Sequence, residues 1–111
     1  MKTIYKYALP AGGAVKVPLP HNFKKLHLGL DPSNLLCMWA EVDTEEPLED
    51  WMIQGIGTGW PLDNLSTSIT DGCEYWGTIN DGVYYIWHYY GKKLTEREIE
   101  QWNSWEKDWP Q

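Results

Sequence analysis

The sequence predicts an α+β protein that is mainly β: an antiparallel sheet or meander of about seven short strands, with one C-terminal helix docked on it. Three observations carry this expectation. Apolar residues alternate at period two through most of the first ninety positions, as they do in half-buried strands. Clusters of Pro, Gly, Asn and Asp punctuate those runs, each supplying backbone angles that turns require. After Gly91 the period changes to that of a helix. The division expected is an antiparallel β domain over residues 1–91 and an amphipathic, Trp-rich helix over 92–111, packed on the same core.

The first strand follows from Thr3, Tyr5, Tyr7 and Leu9 alternating with Ile4, Lys6 and Ala8, before the turn Pro10-Ala11-Gly12-Gly13. Val15, Val17 and Leu19 share the face of a second strand, and Pro18 places it at an edge or near its end, since Pro has no ladder donor. Leu26, Leu28 and Leu30 form a third, with its polar face toward water. Asp31-Pro32-Ser33-Asn34 turns the chain into Leu35–Val42, apolar on both faces and so expected to be central. An acidic connection over Asp43–Asp50 precedes a strand at Trp51–Ile56, which runs into Gly55-Ile56-Gly57-Thr58-Gly59-Trp60-Pro61. Residues 62–72 read as a loop. Cys73–Ile79 and Val83–Tyr90 flank Asn80-Asp81-Gly82, an Asp-Gly step suited to a hairpin turn.

Thr95-Glu96-Arg97-Glu98 has the form of a capping box, flanked by Leu94 and Ile99 as a hydrophobic staple. Ile99, Trp102, Trp105 and Trp109 then fall on one helical stripe. Tyr84, Ile86, His88 and Tyr90 alternate with Val83, Tyr85, Trp87 and Tyr89, so both faces of the last strand are aromatic-rich. At least one face must be covered, and the indole stripe is a natural cover.

Eight Trp and seven Tyr stand in a chain of 111 residues in which Leu, Ile, Val and Phe make up only about a fifth. Large aromatics bury ~150–250 Å² each and make good that deficit. The composition argues against a disordered tail, a coiled coil and a collagen-like chain. The net charge is −7, and it is segregated. Residues 1–30 hold five Lys and no acid, residues 31–91 eleven acids and no Lys or Arg, and the last twenty four bases and five acids. A long nucleic acid is therefore not an expected partner, since such binding needs a basic footprint. Cys37 and Cys73 show no metal or disulfide spacing, the N-terminus lacks a signal-peptide stretch, and no apolar run could span a bilayer. A cytoplasmic protein with no membrane segment is the expectation.

No catalytic constellation can be assembled. Gly55-x-Gly57-x-Gly59 lacks the third-glycine spacing and following helix of a dinucleotide fingerprint, and the Lys-Ser/Thr of a phosphate loop. It suits a kinked strand end, or a backbone loop meeting a small ligand. Cys73 and His88 could face each other across the hairpin, but no orienting third residue is identifiable. His21 and His27 lack partners at metal spacing. No cofactor or metal is expected. The candidate binding residues are Lys24 and Lys25 for an anion, Gly57, Thr58 and Gly59 as a backbone loop, Trp60 and Trp76 as stacking surfaces beside glycine, and His88. Glu45, Glu46, Glu49 and Asp50 form a candidate acidic docking loop.

Tyr5-Lys6-Tyr7-x-Leu9, Pro18-Leu19-Pro20, Leu26-His27, Trp39-Ala40-x-Val42-Asp43, Gly57-Thr58-Gly59, Tyr75-Trp76-Gly77-Thr78 and Trp87-His88 occur in this order. Together they resemble a family of small phage and prophage proteins of unknown function, over residues 1 to about 90. Trp76 stands where an aliphatic residue is commoner, and the helix extends beyond the family's usual end. The resemblance transfers no catalytic residue. It implies an accessory protein that antagonises a host antiviral defence system by binding, either sequestering a nucleotide-derived signal or masking a host protein. The alternative is a small virion structural or assembly protein without a ligand site, and self-association into a homo-oligomer stays open.

Overall fold

A computed structural model describes residues 1–61 and 72–107, the side chains of the C-terminal helix as far as residue 104. Among the described residues seven antiparallel strands form two sheets. The first has the order β1-β4-β3, from Lys2–Ala8 (β1), Leu36–Asp43 (β4) and Lys24–Leu30 (β3). The second has the order β2-β5-β7-β6, from Gly13–Pro20 (β2), Leu48–Gly57 (β5), Ile86–Lys93 (β7) and Glu74–Asn80 (β6). One helix, α1, spans Glu96–Lys107. The expected fold class holds, and the strands are divided between two layers.

The core lies between the sheets. Met38, Ala40 and Val42 of β4, with Leu9 beyond β1, meet Leu19, Ile53, Trp76, Ile79, Trp87 and Tyr89 of the second sheet. Met38, Ala40 and Val42 recur at period two, as do Trp87 and Tyr89, whereas a register shift between Tyr75 and Gly77 sets Trp76 and Ile79 three apart; the partner face comes from the other sheet, as in a sandwich. Trp87 and Tyr89 are thus covered by β4 and its neighbours. The helix lies on the opposite, outer face of the second sheet. There Lys16, Met52 and Lys92 stand side by side in register on β2, β5 and β7. Lys16 Nζ donates to Asn103 Oδ1 at 3.0 Å, and Lys92 pairs with Glu98 at 2.8 Å. The capping box forms as expected, Glu98 N donating to Thr95 Oγ1 and Thr95 N to Glu98 Oε1. The side chains of Trp105 and Trp109, and the loop expected over 62–72 save for Gly72 at its end, lie outside the described residues.

Three local expectations are corrected. Leu26 is 44% exposed, because the β3–β4 register shifts between Lys25 and His27 and the bulge re-aims it. Leu28 and Leu30 keep their inward face. Glu49 and Asp50 are not part of an acidic loop, since β5 starts at Leu48. Glu49 accepts from His21 Nδ1 and pairs with Lys93, and the Asp50 carbonyl accepts from Leu94 N. Only Glu45 and Glu46 remain in the turn. Finally, Val83–Tyr85 is a loop rather than strand, and β7 begins at Ile86. Asp81 causes this: its Oδ1 accepts the backbone N–H groups of Val83, Tyr84 and Tyr85 at 2.9, 3.0 and 3.1 Å. A side chain that satisfies three successive donors outcompetes the ladder.

Asp31 works the same way at the β3–β4 turn. It is 6% exposed, its Oδ1 accepts from Ser33 N and Leu35 N, and Lys6 Nζ reaches its Oδ2 at 2.9 Å. The Leu35 N–H first, and then the Lys6 ammonium, hold its carboxyl below the usual range. A depressed folded value means that the stabilisation is fully present above the unfolded pKa of ~3.9 and is lost as pH falls through the folded one. Melting temperature should therefore fall through the acid range, and more steeply for the natural protein than for Asp31→Asn, which starts lower and has lost that titration. Equal slopes below pH 4 in a calorimetric series would refute the assignment.

Candidate functional site

The two ends of the sandwich are finished differently, and aromatic side chains finish both. At the end where β3 begins, Phe23, Trp51 and Trp76 pack ring to ring, with centroids 5.1–5.9 Å apart. Lys25 lies over the Trp76 ring at 5.0 Å and over Phe23 at 5.8 Å. Its ammonium donates to Glu74 Oε1, which also accepts the Trp76 indole N–H at 2.8 Å. Lys25 first, with that indole, holds the Glu74 carboxyl low. Trp76 is 8% exposed and sits where Gly91 leaves no side chain. This end is closed.

At the other end, Trp60, Tyr85 and Trp87 border a cleft of about 960 Å³. Leu9, Leu35 and Leu36, Val83, and the ends of β1 and β3 complete the apolar wall, with Asn34 and Asp81 as polar lining. Trp60 meets Trp87 edge to face, centroids 5.3 Å apart at 90°, and Tyr85 at 6.5 Å and 75°. Asp81 Oδ2 accepts the Trp87 indole N–H at 3.3 Å, so the carboxylate that shapes the β6–β7 loop also orients one wall. The Val83 N–H, supported by those of Tyr85 and Tyr84 and by that indole, holds the Asp81 carboxyl below the usual range.

The glycine motif now has a physical account. Gly55 faces the Pro10 carbonyl, at 2.7 Å from where a Cβ would be, and the Tyr89 ring at 3.0 Å. Tyr89 is fully buried and donates its phenol to that same Pro10 oxygen at 2.8 Å, while burial pushes its pKa up. Gly57 carries the Trp60 indole, whose Cε2 and Nε1 would lie 2.8 and 2.9 Å from a Cβ. Gly59 has φ of +87°, and Trp60 N donates to the Gly57 carbonyl, so residues 57–60 close a turn that needs glycine at its third position. The loop is a seat that folds Trp60 back over the cleft.

Thr58 joins this seat to the outer face of the second sheet. Its N–H donates to the Ile86 carbonyl, and its Oγ1 lies 2.7 Å from His88 Nε2. His88 Nδ1 is 3.0 Å from Thr78 Oγ1, which in turn bonds the Tyr75 hydroxyl. A neutral ring donates at one nitrogen and accepts at the other, so this row can be satisfied end to end. His88 is not among the residues lining the cleft, and its contact with the Trp60 seat is the one to Thr58.

The expected binding residues therefore do not converge. Gly57, Thr58, Gly59 and Trp60 belong to the open end, with His88 behind them. Lys25 and Trp76 are at the closed end, and Lys24 pairs in register with Glu41 beside them. Gly91 is four positions beyond Trp87 on β7, or ~13 Å along the strand. Tyr85, Trp87, Asp81 and the leucines of the cleft were not singled out as site residues. The signal was the Tyr-rich stretch after Asp81-Gly82, which alternation assigned to a strand.

A model of a domain of unknown function, DUF7352, matches residues 1–100. The chain belongs to the DUF7352 family. The match takes in all seven strands and the first residues of α1, and so runs past the limit near residue 90 that the sequence resemblance implied. It brings no activity with it. Neither the curated proteins nor the solved structures contain a match. Among the described residues no helix is long and apolar enough to cross a membrane.

Proposed function

We propose that the protein is a non-enzymatic accessory protein that acts by masking a partner protein, which it engages through the aromatic cleft at the open end of the sandwich. The observation that carries this reading is Trp60. Its indole is 40% exposed, yet it is seated on Gly57 and braced edge-on by Trp87. Rigid aromatic anchors around an apolar depression are what protein interfaces use as energetic centres. Phage-type antagonism of a host defence system follows from the sequence resemblance alone and is part of the same proposal.

Between the two binding forms, the lining favours a protein partner over a nucleotide-derived signal. No Lys, Arg or His lines the cleft among the described residues, and Lys25 is committed to Glu74 some distance away. A phosphate-bearing ligand would enter against Asp81 and a net charge of −7.

A photocrosslinking residue placed at Tyr85, which is 48% exposed, tests the reading in host cytosol. A discrete protein adduct is expected, and Gly57→Ala should abolish it while leaving the melting temperature within a few degrees, because the new methyl displaces a half-exposed ring. Absence of an adduct, or binding heat from cyclic dinucleotides or cyclic ADP-ribose variants in a calorimeter, would overturn the masking form.

A further inference from the structure

We infer that the cleft is selective for a cationic side chain, and that its occupant is an arginine of the partner protein flanked by apolar residues. This rests on the binding reading above and adds its chemistry. Asp81 lines the cleft, and among the described residues its partners are neutral: three backbone N–H groups on Oδ1 and the Trp87 indole on Oδ2. The carboxylate is held in place and hydrogen-bonded, but its charge is not offset.

Asp31 is paired with Lys6, Asp43 with the N-terminal ammonium, Glu49 with Lys93, Glu74 with Lys25, and Glu98 with Lys92. Among the described residues Asp81, like Glu41, Glu46, Asp50, Glu96 and Glu100, is in no ion pair, and of these it is the one that lines the indole-walled cleft. Carboxylate oxygens retain acceptor capacity beyond a single bond each, and Oδ2 has a lone indole donor at 3.3 Å.

Trp60 and Tyr85 line the same cleft as this charge, and a cation over an aromatic face is attracted by the ring quadrupole. Arginine suits the pair better than lysine. Its planar guanidinium stacks on an aromatic ring while its edge donates to a carboxylate, and it is more weakly hydrated. The apolar wall from Leu9, Leu35 and Leu36 takes its methylene stem and neighbouring side chains. The segment 31–91, which carries every polar lining residue, holds eleven acids and no Lys or Arg, so the surrounding field draws in the same sign.

The test is a titration of the full chain, labelled at its Trp indole nitrogens, with acetyl-Leu-Arg-Leu-amide and with the isosteric citrulline peptide. The Trp60 and Trp87 resonances are assigned from Trp60→Phe and Trp87→Phe. The arginine peptide should shift both saturably, with affinity about five- to tenfold above citrulline, a preference that added salt erodes. Asp81→Asn keeps the Oδ1 acceptor and should reduce arginine binding to the citrulline level; Trp60→Ala should abolish both. Equal binding of the two peptides, or shifts confined to Trp51 and Trp76, would overturn the inference on the natural protein, whatever the variants do. If that happens while the Tyr85 crosslink still forms, the cationic selectivity fails and the masking reading stands. If the crosslink fails too, both fall.

Discussion

Replacing Gly91 by alanine should destabilise the protein by ~3 kcal/mol or more, beyond the usual 1–3 kcal/mol of overpacking, because nothing around the new methyl can yield. A Cβ there would lie 2.7 Å from the Trp76 Nε1, with Cε2 and Cζ2 closer still. Trp76 cannot swing aside. Its ring is wedged among Phe23 and Trp51, covered by Lys25, and tied by its indole N–H to Glu74. Moving it would break that bond, pull Lys25 from its ring and open the closed end of the sandwich. Denaturant unfolding should show a large fall in midpoint for Gly91→Ala. A double variant, Gly91→Ala with Trp76→Leu, should recover part of the loss, since the collision is removed with the ring. A Gly91→Ala variant as stable as the natural protein would mean that Trp76 is not packed on β7 at all.

That pairing also explains what was legible in the sequence and what was not. Alternation put Val15, Val17 and Leu19 of β2 on one face and Trp87 with Tyr89 of β7 on another, because a half-buried strand must show its buried face, while the segment of β4 read as apolar on both faces. Alternation could not say which layer covers that face, since Trp87 reads the same whether β4 or a helix lies over it. Period two also fails where a single side chain overrides the ladder. The Lys25/His27 bulge turned Leu26 outward, and Asp81 drew three N–H groups into a loop where Val83 and Tyr85 still alternated with Trp87. Glycine beside tryptophan marks both Trp60, which the fold leaves 40% exposed beside a cleft, and Trp76, which it buries. Both indoles lie over a glycine, but Gly57 is at a rim and Gly91 is in the middle of a ladder between β5 and β6. Local sequence does not distinguish a glycine that opens a seat from one that makes room in the core. Tertiary register does.

Trp87→Ala and Trp60→Ala should separate by more than their adjacency suggests. Trp87 is 5% exposed and belongs to the central core, so its loss removes the packing of a buried indole and leaves a cavity, typically ~3–5 kcal/mol. It also takes the indole donor from Asp81 and the brace from behind Trp60. The loss should therefore reach beyond stability: the β6–β7 loop and the cleft wall change together. Trp60 touches Gly12, Gly57, Tyr85 and Trp87 from one side and solvent from the other, so its truncation removes area without opening an interior void. Its cost should be below ~1.5 kcal/mol, a fraction of the ~1.5–3 kcal/mol for a large side chain taken fully out of water. The two variants thus test opposite claims with one pair of unfolding curves. Trp87→Ala should weaken the fold and the crosslink at Tyr85 together, whereas Trp60→Ala should remove the crosslink from a protein that melts almost as before. If Trp60→Ala proved as damaging as Trp87→Ala, Trp60 would be a core residue like Trp76, and the open end would be as closed as the other.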